Sequence, residues 1–174
     1  ARQATQHLLD NGCRRIALLA GPGYLSLTVQ RMLGYRDAIE SEGLSVEESL
    51  IAYGDYSQDN AVELTHRLLN LPQPPDGILA LSDRIGVGAL IALKARGVHV
   101  PDEVALVGFN NEPLSALITP GLTSVAQPIE EIGREAARLL LAQLAAPETT
   151  LESPVRVLPT HLIVRESSRR SVVV

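Results

Sequence analysis

The chain has one cysteine, one phenylalanine and no tryptophan, and aromatics make up only 3% of its 174 residues. A lone thiol, Cys13, excludes an internal disulfide and points to a reducing, cytoplasmic setting. So few aromatics exclude the stacking platforms on which single-stranded nucleic acid is held. The four histidines, His7, His66, His99 and His161, are too scattered to suggest a metal site. No apolar run approaches the roughly 18–20 residues of a membrane span. No leader pattern of basic, apolar and small residues opens the sequence. Net charge is −5, the wrong sign for neutralising phosphates. The chain does not begin with Met and opens inside a helical pattern, so it is expected to be a segment of a longer protein.

What is present is an alternation. Apolar runs over 16–20, 50–53, 78–81 and 104–107 read as strands. Helical spacing falls before and between them: around Ala4, Leu8 and Leu9, over about 28–41, from a Ser57 cap to about 69, and from Ser82-Asp83 to about 96. Asn11-Gly12, Gly43 and Gly97 stand where such helices stop. Strands alternating with helices predict an α/β fold: a three-layer parallel sheet with helices on both faces and right-handed crossovers. A further short strand over 122–126 is followed by a long helix over about 129–144. Then come a linker over 145–153, extended runs at 155–158 and 161–164, and a polar tail, 166–170, expected to fray. The expected division is a main lobe over 1–122, a crossover and helix over 123–154, return strands over 155–166 and a tail over 167–174.

In an open α/β sheet, ligands sit beyond the carboxyl ends of the strands. Five residues stand near those ends with useful chemistry. Arg31 offers a rigid fork of five donors for hydroxyls, carbonyls or carboxylates. Tyr56 offers an aromatic face for a sugar ring or a base. Ser82 either caps the next helix or faces a ligand. Asn110, beside Asn111, and Gln127 carry amides that donate and accept together, or that bond their own turns. Gly21-Pro22-Gly23 sits where a phosphate loop would, but neither dinucleotide nor Walker spacing is present. No nucleophile–base pair emerges, and Glu130-Glu131 reads as a helix start, not an acid/base pair. These features suggest a site that binds without reacting, with no metal and no cofactor. Leu114, Leu117 and Ile118 form an apolar cluster in a loop, which wants a cover from this domain or from another.

Several stretches together resemble the lactose/galactose repressor (LacI/GalR) family of transcriptional regulators. They include HLLDNGCRRIALLAGP, RMLGYRDAIESEGL, PDGILALSDRIGVGALIALKARGVHVPDEVALVGFNN, PGLTSVAQPIEEIGREAARLLLAQL and LPTHLIVRESS, leaving only 169–174 uncovered at the end. The resemblance implies a periplasmic-binding-protein-like lobe, the C-terminal part of an effector-binding core. The DNA-binding headpiece and most of the N-terminal lobe would lie outside this sequence. It implies a small-molecule effector contacted by Arg31, Tyr56, Ser82 and Gln127. Asn110 departs from the aspartate frequent at its position, and Leu25 and Leu27 replace polar residues of some members. The effector is therefore expected to be a sugar or a less polar, nucleoside-like molecule. It also implies a homodimer through Ile85, Val87, Leu114, Leu117 and Ile118, and operator DNA bound by the missing headpiece and not by this segment. No membrane contact is implied. The alternative is a periplasmic solute-binding protein of a transporter, with an α/β enzyme a distant third.

Overall fold

A computed structural model describes residues 1–145 and 155–170. Helix α1 (Arg2–Asp10) leads into β1 (Ile16–Ala20), α2 (Ser26–Ser41), β2 (Ile51–Tyr53), α3 (Gln58–Leu69), β3 (Gly77–Ala80), α4 (Asp83–Ala95) and β4 (Ala105–Asn110). After a 3-10 turn at Pro113–Ala116 come β5 (Thr123–Ala126), α5 (Ile129–Ala145), β6 (His161–Ile163) and a last 3-10 turn at Glu166–Ser168. The six strands form one sheet in the order β2-β1-β3-β4-β5-β6. The first five run parallel, and β6 lies antiparallel to β5.

The apolar runs are continuous because the central strands are covered on both faces. Leu18, Leu79 and Val107 join Leu8, Tyr35 and Ile39 of α1 and α2 in one core. Leu19, Ile78 and Leu106 join Leu64 of α3 and Leu93 of α4 in the other. Alternate residues of each strand feed alternate cores, as the period of two requires. Ser57 caps α3 by accepting from the Asn60 amide at 3.2 Å. Gly12, Gly43 and Gly97, at φ +85, +72 and +69, lie just past the ends of α1, α2 and α4. The left-handed conformation there is the reason glycine stops those helices.

Four expectations change. Helix α2 starts at Ser26 and not near 28, and β4 continues to Asn110, so the first amide ends a strand instead of opening a loop. Residues 155–158 pair with no strand among the described residues. The polar tail does not fray within the described residues. Ser167 and Ser168 are fully buried, and the Ser167 hydroxyl donates to the Leu106 carbonyl at 2.6 Å and accepts the Thr123 amide at 2.9 Å. Arg170 donates to the carbonyls of Pro101 at 3.1 Å and Glu103 at 2.9 Å. These short polar side chains satisfy backbone groups around the ends of β4 and β5, which would otherwise be buried without partners. The linker expectation and the final residues, 171–174, lie outside the described residues.

Asp83, the first residue of α4, is 1% exposed and lies against Gly108 of β4. A Cβ at position 108 would collide with the Asp83 carboxylate and with Leu122. Gly108→Ala is therefore expected to cost about 2–3 kcal/mol, as overpacking does, read as a lower urea midpoint with unchanged slope. Cys13 is fully buried under α1, and that burial pushes its thiol up to about 12. Cys13 should resist thiol reagents at pH 8 in the folded protein and react only after denaturant is added; rapid modification without denaturant would contradict this.

Candidate functional site

The parallel strands deliver their carboxyl ends to one edge, and the strand order reverses between β1's neighbours, β2 and β3. Such a switch point leaves a crevice. Arg31 reaches inward from α2 and is 9% exposed. Its Nη1 donates to the Leu81 carbonyl at 2.5 Å, and its guanidinium lies 3.7 Å from the centre of the Phe109 ring. One contact fixes the fork and the other stacks it, a cation–π arrangement that favours a desolvated arginine. Burial presses the guanidinium pKa below the usual arginine value, and the nearby Tyr56 phenol opposes that shift. Arg31 and Phe109 line a cavity of about 700 Å³ together with Leu27, Gln30, Gln127 and Leu139.

Asn110 and Gln127 meet beside it. Gln127 Nε2 donates to Asn110 Oδ1 at 3.2 Å. A second hollow of about 500 Å³ is lined by Asn110, Asn111, Gln127, Glu130 and Arg134. Gln127 and Pro128 belong to both hollows, so the two adjoin. Asn110 and Asn111 have φ of 110 and 54, values that few residues other than glycine tolerate. The strain is held in place by their neighbours. The Asn111 amide donates to Ser124 Oγ at 2.9 Å, and Asn111 Oδ1 accepts from Arg165 Nη2 at 2.8 Å.

Of the five expected residues, the structure thus gathers Arg31, Asn110 and Gln127 on adjoining hollows. Tyr56 and Ser82 stand at the same sheet edge but line neither hollow. Tyr56, at φ 65, lays its ring on Gly21 and places its hydroxyl 3.0 Å from Thr28 Oγ1. Its ring packs on the β1–α2 turn, and it also borders the core that α3 shares. Ser82 caps α4, its hydroxyl accepting the Ile85 amide at 3.4 Å. Leu27 lines the larger cavity; Leu25 lines neither.

The surface expected to pair two copies is only partly a surface. Ile85 is 2% exposed and belongs to the core beside α3 and α4, so it has no area to offer a partner. Its place on the inward face of α4 is the physical reason. Val87 is half-buried, and Ile118 packs against that same core. Leu114 and Leu117 are 50% and 79% exposed.

Reading the sequence missed the residues that hold the site. Asp83 Oδ1 accepts from Ser124 Oγ at 2.6 Å, while Oδ2 accepts from Ser115 Oγ and from the Glu112 amide, both at 2.7 Å. Three donors and the amino end of α4 stabilise this buried charge. Arg165 holds Asn111 and also donates to the Leu122 carbonyl at 2.6 Å. The available signals were the acidic first turn of α4, the small polar residues inside the strand TSVA, and an arginine just after the last apolar run. Among the described residues no group of His, Cys, Asp or Glu is arranged to hold a metal ion, and no helix is long and apolar enough to cross a membrane.

With this geometry in view, relatives are informative. The periplasmic binding protein-like domain matches residues 5–168. The HTH-type transcriptional regulator CelR of Thermobifida fusca is 45% identical over 95% of this chain, which spans 48% of that protein. The HTH-type transcriptional repressor CytR of Escherichia coli K12 is 37% identical over 97% of the chain and 49% of its own length. The chain therefore spans about half the length of the curated relatives it matches. Among solved structures, a transcriptional regulator CelR–cellobiose complex superposes with TM-score 0.88 at 43% identity, over 95% of this chain and 50% of that one. A putative LacI transcriptional regulator from Bacillus cereus subsp. cytotoxis gives TM-score 0.90 at 32% identity, over 95% and 58%. The chain belongs to the periplasmic binding protein-like domain family, in the form carried by LacI-type transcriptional regulators.

Proposed function

We propose that this chain is the C-terminal lobe of the effector-binding core of a cytoplasmic LacI-type repressor, and that the effector is a sugar of disaccharide size. The observation that carries the reading is Arg31, clamped between the Leu81 carbonyl and the Phe109 ring at the wall of a 700 Å³ cavity. A held guanidinium beside paired amides suits neighbouring hydroxyls, and an aromatic and aliphatic lining suits the apolar face of a sugar ring. The solved CelR–cellobiose complex supports the choice of sugar. The absence of any nucleophile–base pair among these residues fits a site that binds and releases its ligand unchanged.

In this reading residues 1–122 form the lobe, 123–154 cross to a second lobe, and 155–166 return. The exposed apolar side chains of α5, Ile129, Leu140, Leu141 and Leu144, support that division. An amphipathic helix with an uncovered apolar side calls for packing from residues outside this chain. The effector draws the lobes together through its higher affinity for the closed arrangement, and the population shift alters headpiece spacing on operator DNA. The regulator acts as a homodimer, with Leu114, Leu117 and Val87 contributing to the interface. A nucleoside is the second reading, favoured by the Asn110–Gln127 amide pair, which suits a base edge as well as hydroxyls.

Calorimetry on the full-length protein tests the site. Arg31→Ala should weaken cellobiose binding about 10- to 100-fold, the scale of a lost charged hydrogen bond. Unchanged affinity removes Arg31 from the site, and tighter binding of nucleosides than of sugars overturns the sugar reading. The segment 1–174 alone should give no salt-sensitive shift of operator DNA, because it lacks the positive charge that phosphates require.

A further inference from the structure

Six residues, Asp83 among them, close into a ring of hydrogen bonds that joins the pocket amides to the loop carrying Leu114 and Leu117. The Asn111 amide donates to Ser124 Oγ (2.9 Å), which donates to Asp83 Oδ1 (2.6 Å). On the other carboxylate oxygen, Ser115 Oγ donates to Oδ2 (2.7 Å). The Ser115 carbonyl accepts the Leu122 amide (2.7 Å), and the Leu122 carbonyl accepts Arg165 Nη1 (2.6 Å). Arg165 Nη2 then returns to Asn111 Oδ1 (2.8 Å).

We propose that Asp83 is a positioning residue that couples the pose of Asn110 and Asn111 at the pocket to the pose of the loop containing Leu114, Leu117 and Ile118. Each carboxylate oxygen serves a different segment: Oδ1 serves β5 and through it the two asparagines, and Oδ2 serves the 3-10 turn Pro113–Ala116 through Ser115 and the Glu112 amide. The carboxylate is buried with Gly108 against it, so bulk water has little access to the place of a partner that moves. Ser115 and Ser124 are fully buried as well, and neither lines a hollow. The two asparagines hold a strained backbone, φ 110 and 54, that depends on these bonds. A ligand that alters Asn110 or Gln127 therefore acts on the Ser124 side of the ring, and the loop feels it through the same carboxylate. By linkage, a partner that seats on Leu114 and Leu117 acts on the pocket to the same extent.

This inference rests on the proposed sugar site, but its test has a sugar-free part. Amide hydrogen exchange is measured on the full-length protein as wild type, Ser115→Ala and Ser124→Ala, each with and without cellobiose. Without sugar, Ser115→Ala should speed exchange at Asn111 about tenfold, and Ser124→Ala should do the same at Leu117 and Ile118. Both changes lie across the Asp83 ring from the altered serine, and the Ser124→Ala arm is the decisive one, because Asn111 is also joined to Ser115 by residues 112–114. Acceleration confined to the serine's own segment in both variants overturns the coupling. With sugar, wild type should gain protection at residues 114–118 as well as around Arg31, and Ser115→Ala should keep only the protection around Arg31. Retention of the 114–118 response in Ser115→Ala also overturns it. Cellobiose that protects neither region in wild type defeats the sugar assignment, and the sugar-free arms then decide the coupling by themselves.

Discussion

At 1% exposure the Asp83 carboxylate is cut off from bulk solvent, and protein donors meet its lone pairs. That requirement fixes several otherwise separate parts of the fold. It needs the start of α4, where the helix dipole favours negative charge. It needs a glycine at 108, because any side chain on β4 there would occupy the carboxylate's place. It needs serines on β5 and on the turn after β4, with the Glu112 amide between. A charge held only by dipoles, with no cation paired to it among the described residues, is unforgiving of small displacements. The pocket amides inherit their geometry from it.

Much of the architecture was legible because its signals are local. The apolar runs of β1 and β3, the Ser57 and Ser82 caps and the glycines after three helices each act within a few residues. Arg31, Asn110 and Gln127 were legible as pocket residues for a related reason: strand ends in a parallel sheet lead to one edge, whatever the packing. What failed was non-local. Ser167 and Ser168 look like a solvated tail in sequence, yet they are buried because the backbone of β4 and β5 lacks other partners there. The family resemblance implies Ile85 at a dimer interface, yet the turn of α4 aims it at the core. Ser115 and Ser124 resemble ordinary turn and strand residues until the fold brings one carboxylate between them. Phe109 is the only phenylalanine, and its role under Arg31 needed two residues far apart in sequence to meet.

The site also shows how one arginine serves two masters. Arg31 is buried enough that its own position is structural, held by a carbonyl and a ring. The same residue also lines the cavity. Pre-ordering of this kind would lower the entropy lost on binding the proposed effector. Arg165 works on a different principle. It spends its fork on Leu122 and Asn111 and shapes the pocket floor without lining either hollow.

Strand β6 completes the sheet from the far side of α5, pairing Leu162 with Val125 and His161 with Ala126. The serines behind it fill gaps at Thr123 and Leu106. A ribosome must therefore release the chain through about Arg170 before the edge of β5 is covered. Until then β5 presents bare backbone groups to any neighbouring nascent chain, the state most open to mispairing. The stretch that seals the lobe is thus translated well after the strand it covers, and a nonsense codon anywhere in α5 would leave it open.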